Sequence, residues 1–266
     1  VKLLVTGKGG GAGSWIVRGE QLGAAIGAKV KPMAARDDMR ECDLALVVKR
    51  TPPSVLHALR AERRRWVLDV VDFYPQPASS GWSRDEAVRW VRARIGELQP
   101  SAVIWPNRQM AVDCAVDLPS IVLYHHHRPG IALNPIRDRV RAVGYEGRPA
   151  YLAQWASPLE RECARRGWRF VVNPTQLADL DIVVAARGGA WDGYVPSHWK
   201  SNVKLANAHG SGTPFVGQLE RGYVETASGA ERWISEPKHL RAIFDGLESR
   251  STRAAVQERF LASAYP

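Results

Sequence analysis

Only three cysteines, Cys42, Cys114 and Cys163, occur in this 266-residue chain, and no two of them form a CxxC pair. Thiols so sparse and scattered exclude a disulfide framework; each reads as a small apolar residue in a reducing interior. Any apolar run of the ~18 to 20 residues that a membrane span needs is also missing. The opening VKLLVTGKGG has no signal-peptide layout and reads as a strand entering a glycine loop. The first residue is Val rather than Met, for which processing or trimming is the expectation. The expected location is therefore the cytoplasm, a host's cytoplasm if the protein is viral. There is no repeat or low-complexity tract, and no GK[ST] closes the glycine loop as a P-loop would require.

What is present is the make-up of an ordinary globular protein, 45% hydrophobic and 24% charged. The length suits one large domain or two compact ones of ~130 residues. Lys and Arg number 37 against 27 Asp and Glu, for a net charge of +10. That excess favours polyanionic partners, nucleic acid first, with a nucleotide diphosphate using part of it. The competing reading is a solvated basic surface from an Arg-rich genome.

Short runs rich in Val, Ile and Leu recur with helical stretches between them. In the first half the strand candidates are 2–7, 43–49, 65–71, 101–106 and 119–125. The helix candidates are 15–26, 53–64, 84–97 and 107–116, the third opened by Ser83 with Glu86 three residues on. Runs that are apolar on both faces suit parallel strands buried beneath helices. The rhythm breaks in HHHRPGIALNPIRDR and resumes with strands at 142–147, 168–173, 181–187, 213–218 and 232–235. Helices are expected at 150–166, 201–210, 236–248 and 251–263. This pattern predicts an α/β protein of two Rossmann-like domains facing each other across a cleft. We place the first at 1–135, the second at 136–250 and a C-terminal helix at 251–266.

The segment KLLVTGKGGGAGSWIVRGEQLG is a strand, a glycine turn and a helix. Gly10, Gly11, Gly13 and Ser14 would let an anionic ligand approach the backbone at a helix N-terminus. Arg18, one turn on, suits a phosphate or diphosphate; pairing with Glu20 or Glu41 is the alternative. The spacing near GxGxxG also admits a dinucleotide reading, though no acidic residue ends the second strand to hold a ribose.

In the second half, Arg187 ends a strand, where ligand-facing side chains belong in open α/β sheets. Ser201, Lys204 and Asn207 fall on or just before one helix, within two turns of one another. The stretch SGTPFVGQLERGYVE then places Glu225 at the same sheet edge. With ANAHGSGTPFV, this helix, small-Gly-Thr-Pro turn, strand and Glu-bearing loop resemble the second domain of GT-B glycosyltransferases. The resemblance implies transfer of a sugar from a nucleotide donor, expected to be a UDP-sugar, with Arg187 and Lys204 neutralising the diphosphate. It also implies that Asn207 stands where a carboxylate usually holds the ribose, which passes that contact to Glu225. Cations facing the cleft would offset charge on the leaving diphosphate, so no metal and no resident cofactor are expected. The acid pairs Asp69/Asp72 and Asp179/Asp181 only mimic a DxD motif.

An inverting transfer needs a base near the acceptor hydroxyl, and Asp72 sits at a strand's carboxyl end. Its place resembles that of the base aspartate in phage DNA glucosyltransferases; capping a turn is the alternative. His125, His126 and His127 cannot all point one way from a strand, so one of them, His125, is expected to line the acceptor pocket or act as base. Lys49, Arg50, Arg108 and Arg128 would form a basic wall there. Phe73, Tyr74, Trp82 and Trp105 would offer stacking surfaces, while Trp66, Trp90 and Trp168 read as packing. The acceptor implied is a hydroxymethylated base in phage DNA, flipped into the cleft. A small molecule or envelope glycan, a non-catalytic DNA-binding protein and an NAD-dependent oxidoreductase are the alternatives. A monomer or weak oligomer with no membrane partner is expected.

Overall fold

The computed structural model describes residues 1–11, 13–72 and 82–263. The chain divides into two compact units, Val1–Pro129 with His198–Ser201, and Gly130–Ser197 with Asn202–Pro266. The division falls at 129/130 rather than 135/136, and the sequence gave no hint that His198–Ser201 returns to unit 1.

Unit 1 opens with β1 (Leu3–Gly7) and a helical segment built of α1 (Gly13–Trp15), a π-helical stretch (Ile16–Gln21) and α2 (Leu22–Ala25). There follow β2 (Lys29–Val30), α3 (Arg36–Glu41), β3 (Leu44–Val48), α4 (Pro53–Ala61) and β4 (Arg65–Asp69). The unit continues with α5 (Arg84–Leu98), β5 (Ala102–Trp105), α6 (Arg108–Asp113) and β6 (Ser120–Val122). Its strands are parallel in the order β2-β1-β3-β4-β5-β6, so the order reverses between β1 and β3. Helix α5 forms where expected because Ser83 and Glu86 close a capping box. Its Val88, Val91, Ile95 and Leu98 then bury one face.

Unit 2 contains β7 (Ala142–Tyr145), α7 (Ala156–Arg165), β8 (Arg169–Val172) and β9 (Ile182–Ala185). Helix α8 (Tyr194–Trp199) ends in the stretch that returns to unit 1. Unit 2 resumes with α9 (Val203–Ser211), β10 (Phe215–Gly217), α10 (Arg221–Val224), β11 (Arg232–Trp233), α11 (Leu240–Glu248) and α12 (Arg250–Ser263). The parallel order is β8-β7-β9-β10-β11, with its reversal between β7 and β9.

All four residues of β7 and of β9 are buried. Val143, Tyr145, Ile182 and Val184 join one apolar cluster, while Ala142, Val183 and Ala185 join another. The alternation places helices over both faces of this sheet, which is why its strands read as unbroken apolar runs. Helix α12 is part of unit 2 rather than an appendage: Phe260 is in the core, and buried Arg253 donates to the carbonyls of Leu247 and Arg137. Among the described residues, no helix is long and apolar enough to cross a membrane.

Candidate active site

In unit 1 the chain turns sharply at the ends of β3 and β4. Lys49 and Val71 both have left-handed backbones, φ 61° and 53°. For a β-branched valine this is a genuine strain, and such residues cluster at functional sites. The turns bring Lys49 and Asp72 together, with Lys49 Nζ 2.5 Å from Asp72 Oδ1. Lys200, arriving with the His198–Ser201 stretch, places its Nζ 3.1 Å from Asp72 Oδ2. That stretch is anchored by Asn107, whose Nδ2 donates to the His198 and Lys200 carbonyls, and by Trp199 Nε1 donating to Asp113. Burial would raise the Asp72 carboxyl, but the ammonium groups of Lys200 and Lys49 outweigh it and hold it well below the usual carboxylate range. Asp72 is thus an ionised carboxylate clasped by two cations, with its basicity reduced.

His125 is buried nearby and pushed down to about 3, first by burial and then by the Arg18 charge, against the opposing pull of Asp72. Its imidazole is therefore neutral at physiological pH. As the alternation argument requires, His126 and His127 differ from it in being only half-buried.

The glycine loop, with Lys8, Ser14, Trp15, Lys49 and Arg50, lines a cavity of about 360 Å³ at the carboxyl ends of β1 and β3. This is the reversal point of the sheet, where ligands of such folds bind. Gly10, Gly11 and Gly13 have open space where a Cβ would be. Gly7 does not: a Cβ there would sit 2.8 Å from the Val48 carbonyl oxygen.

Arg18 is not in this cavity. It is 1% exposed, its Nε donates to Asp69 Oδ2 at 2.7 Å, and its Nη1 donates to the carbonyls of Leu123 and Tyr124. It ties the ends of β4 and β6 together and is out of reach of a diphosphate, contrary to the sequence expectation. Glu20 and Glu41, its alternative partners, bond Trp15 and Lys29 instead. Trp105, expected as a stacking surface, is also buried, and Trp82 packs edge-on to Trp90. Arg50 and Arg108 are exposed and Arg128 is half-buried. Phe73 and Tyr74 lie outside the described residues.

In unit 2, Arg187 follows β9 and is 7% exposed; its Nε donates to Glu220 Oε1 at 2.7 Å. Its own carbonyl accepts from Trp155 Nε1. From α9, Lys204 places its Nζ 4.2 Å from the ring centre of Tyr145, the last residue of β7. One turn on, Asn207 Nδ2 donates to Glu146 Oε2 at 3.3 Å. Arg187, Lys204 and Asn207 thereby converge on the β7/β9 reversal point. Glu225 caps the C-terminus of α10 and is half-buried. Ser201 is not on α9 but belongs to the stretch packed into unit 1. The Asp181 carboxylate is occupied by the backbone of Arg141 and Ala142 and by Arg137, a structural role.

The sequence reading missed Lys200, Glu146 and Glu220. Lys200 stands 128 positions from Asp72, and nothing local announces their pairing. For Glu220 the signal was available: an acid on the loop directly after a strand that carries no other charge.

No protein-family model matches this sequence, and no curated protein sequence does. Solved structures, in contrast, share its fold along nearly the whole chain. Anabaena Alr3699/HepE in complex with UDP and glucose superposes with a TM-score of 0.62 at 13% identity, covering 99% of this chain and 94% of that one. AviGT4, a glycosyltransferase involved in avilamycin A biosynthesis, gives 0.52 at 12%, covering 99% and 97%. Acinetobacter baumannii MurG gives 0.51 at 12%, covering 100% and 96%. Two parallel-stranded α/β units in one chain, shared with these structures, make this a protein of the GT-B fold.

Proposed function

We propose that the protein is a nucleotide-sugar-dependent glycosyltransferase that uses a UDP-sugar donor. The observation that carries this reading is the convergence of Arg187, Lys204 and Asn207 on the reversal point of unit 2's sheet. Cations there suit a diphosphate and the charge that grows on it as it leaves. The shared fold supports the reading by analogy, since one protein of that fold is known with UDP and glucose bound. Arg187 and Lys204 take the place of a metal, so turnover is expected to survive EDTA. Glu225 remains the proposed ribose contact.

The acceptor hydroxyl, in this reading, sits beside Asp72 and gives its proton to that carboxylate as the new bond forms. Lys8, Lys49 and Arg50 around the glycine loop, with the net charge of +10, favour an acceptor that carries phosphate. Hydroxymethylated DNA is the candidate of that description. Transfer of labelled glucose from UDP-glucose to such DNA supports this choice, and transfer to a small molecule or glycan alone replaces it.

The test of the donor is thermal stability with UDP, UDP-glucose and NAD. At a hundred times its Kd a ligand stabilises by about 2.7 kcal/mol. Stabilisation by UDP that Lys204→Ala abolishes is the expected result. Stabilisation by NAD alone would overturn the reading in favour of a dehydrogenase that uses the glycine loop.

A further inference from the structure

Beyond the carboxyl ends of β9, β10 and β11, unit 2 holds a cavity of about 240 Å³. Its charged lining is the Arg187–Glu220 pair, with Glu220 only 4% exposed. One oxygen of that carboxylate, Oε1, takes the Arg187 Nε. The other, Oε2, is buried without a hydrogen-bond partner. A buried anionic oxygen left unbonded is costly, and where it lines a cavity it marks a place for a donor group from a ligand. The remaining lining is equally particular. Trp191 supplies an aromatic ring, Asp192 an exposed second carboxylate, and Gln218 has its side-chain carbonyl already engaged by the Arg187 backbone N–H.

These groups describe a ligand. It must donate hydrogen bonds to carboxylates, present an apolar face to an indole, and be small, because drug-sized ligands occupy roughly 300–1,000 Å³. It must also lack negative charge of its own, since two acids lie within one small cavity and Arg187 balances only one of them. A neutral pyranose has hydroxyls for the carboxylates and a C–H face for the ring. A nucleoside is too large and a uronic acid has the wrong charge.

We propose that this cavity receives the sugar of the donor, with Glu220 Oε2 accepting a hydrogen bond from a ring hydroxyl. Asp192 and Glu220 together select neutral hexoses over uronic acids. The proposal rests on the nucleotide-sugar reading above and adds to it the residue that reads the sugar.

Calorimetric titration of the full chain with UDP, UDP-glucose and UDP-glucuronate tests it. The wild type should bind UDP-glucose about tenfold or more tighter than UDP-glucuronate. Glu220→Gln should weaken UDP-glucose about tenfold while leaving UDP within about twofold, the loss of one charge-assisted hydrogen bond. Equal affinity of the wild type for the two sugars overturns the proposal. So does a folded Glu220→Gln protein that binds UDP-glucose as the wild type does, or that loses UDP and UDP-glucose alike. Because Glu220→Gln strands Arg187, Asp192→Asn provides a second route, at an exposed position. It should narrow the preference for UDP-glucose over UDP-glucuronate, and an unchanged ratio overturns the role given to the paired acids. Failure of the wild type to bind UDP at all overturns the nucleotide reading itself, and this inference with it.

Discussion

The two units share one sheet order yet furnish its reversal point by opposite means. Unit 1 does so with backbone: a glycine loop, two left-handed residues at the strand ends, and charges that remain half-exposed around Asp72. Unit 2 does so with buried side chains: Arg187 on Glu220, and the tyrosines Tyr145 and Tyr223. Burial pushes the Tyr145 hydroxyl up to about 12 and the Tyr223 hydroxyl well above its ordinary value, so both stay protonated and can act as donors. In unit 1 the desolvation of charge is left for ligand arrival, whereas in unit 2 much of it has been met on folding. A site of the first kind tolerates varied ligands. One of the second kind is preorganised for a single shape.

Arg18 offers the sharpest way to break this contrast, because it is unit 1's own buried ion pair. Arg18→Met strands the Asp69 carboxylate and is expected to cost about 3–5 kcal/mol in denaturant unfolding. Arg18→Met combined with Asp69→Leu should recover most of that loss. Next comes Asp72→Asn, expected to lower kcat at least about a hundredfold while leaving UDP affinity intact. Near-normal turnover would remove Asp72 from the chemistry. Lys204→Ala, on the other unit, should weaken UDP about tenfold, as titration would register.

A smaller effect sharpens the picture of Asp72. Its carboxyl is held low by Lys200 and Lys49, so Lys200→Met lets burial raise it again. The acidic limb of the kcat profile should then move to higher pH, and an unmoved limb belongs to another group. The same depression means that Asp72 stabilises unit 1 above its unfolded pKa of about 3.9 and loses that contribution only as the pH falls through its folded value. Smallest of all, Ser83→Ala should cost about 1 kcal/mol by removing a helix cap, with activity unchanged.

The architecture was legible because its signals are local. Unbroken apolar runs marked β3, β4, β7 and β9, and the Ser83–Glu86 spacing marked the start of α5. Two-residue β2 and six-residue α3 were not legible, since neither is long enough to show a period. The site was legible in part for the same reason. Arg187, Lys204 and Asn207 follow from a strand end and one helix face. Arg18 was misjudged because a buried arginine and a ligand-binding arginine look alike until a partner, here Asp69, is found 51 residues away. Lys200 and Glu146 likewise act through neighbours that only the fold supplies.

The return of His198–Ser201 to unit 1 has a consequence for how the chain comes off the ribosome. Until residue 201 has emerged, the Asn107 side-chain amide lacks two carbonyl acceptors and Asp72 lacks one of its two cations. The first unit is therefore completed only when much of the second has been synthesised, a delay of some 70 residues beyond Pro129. At roughly 5–20 residues per second, that is several seconds in which the acceptor side stands unfinished. The two Rossmann-like halves, separable on paper, are thus bound to a common timetable by four residues.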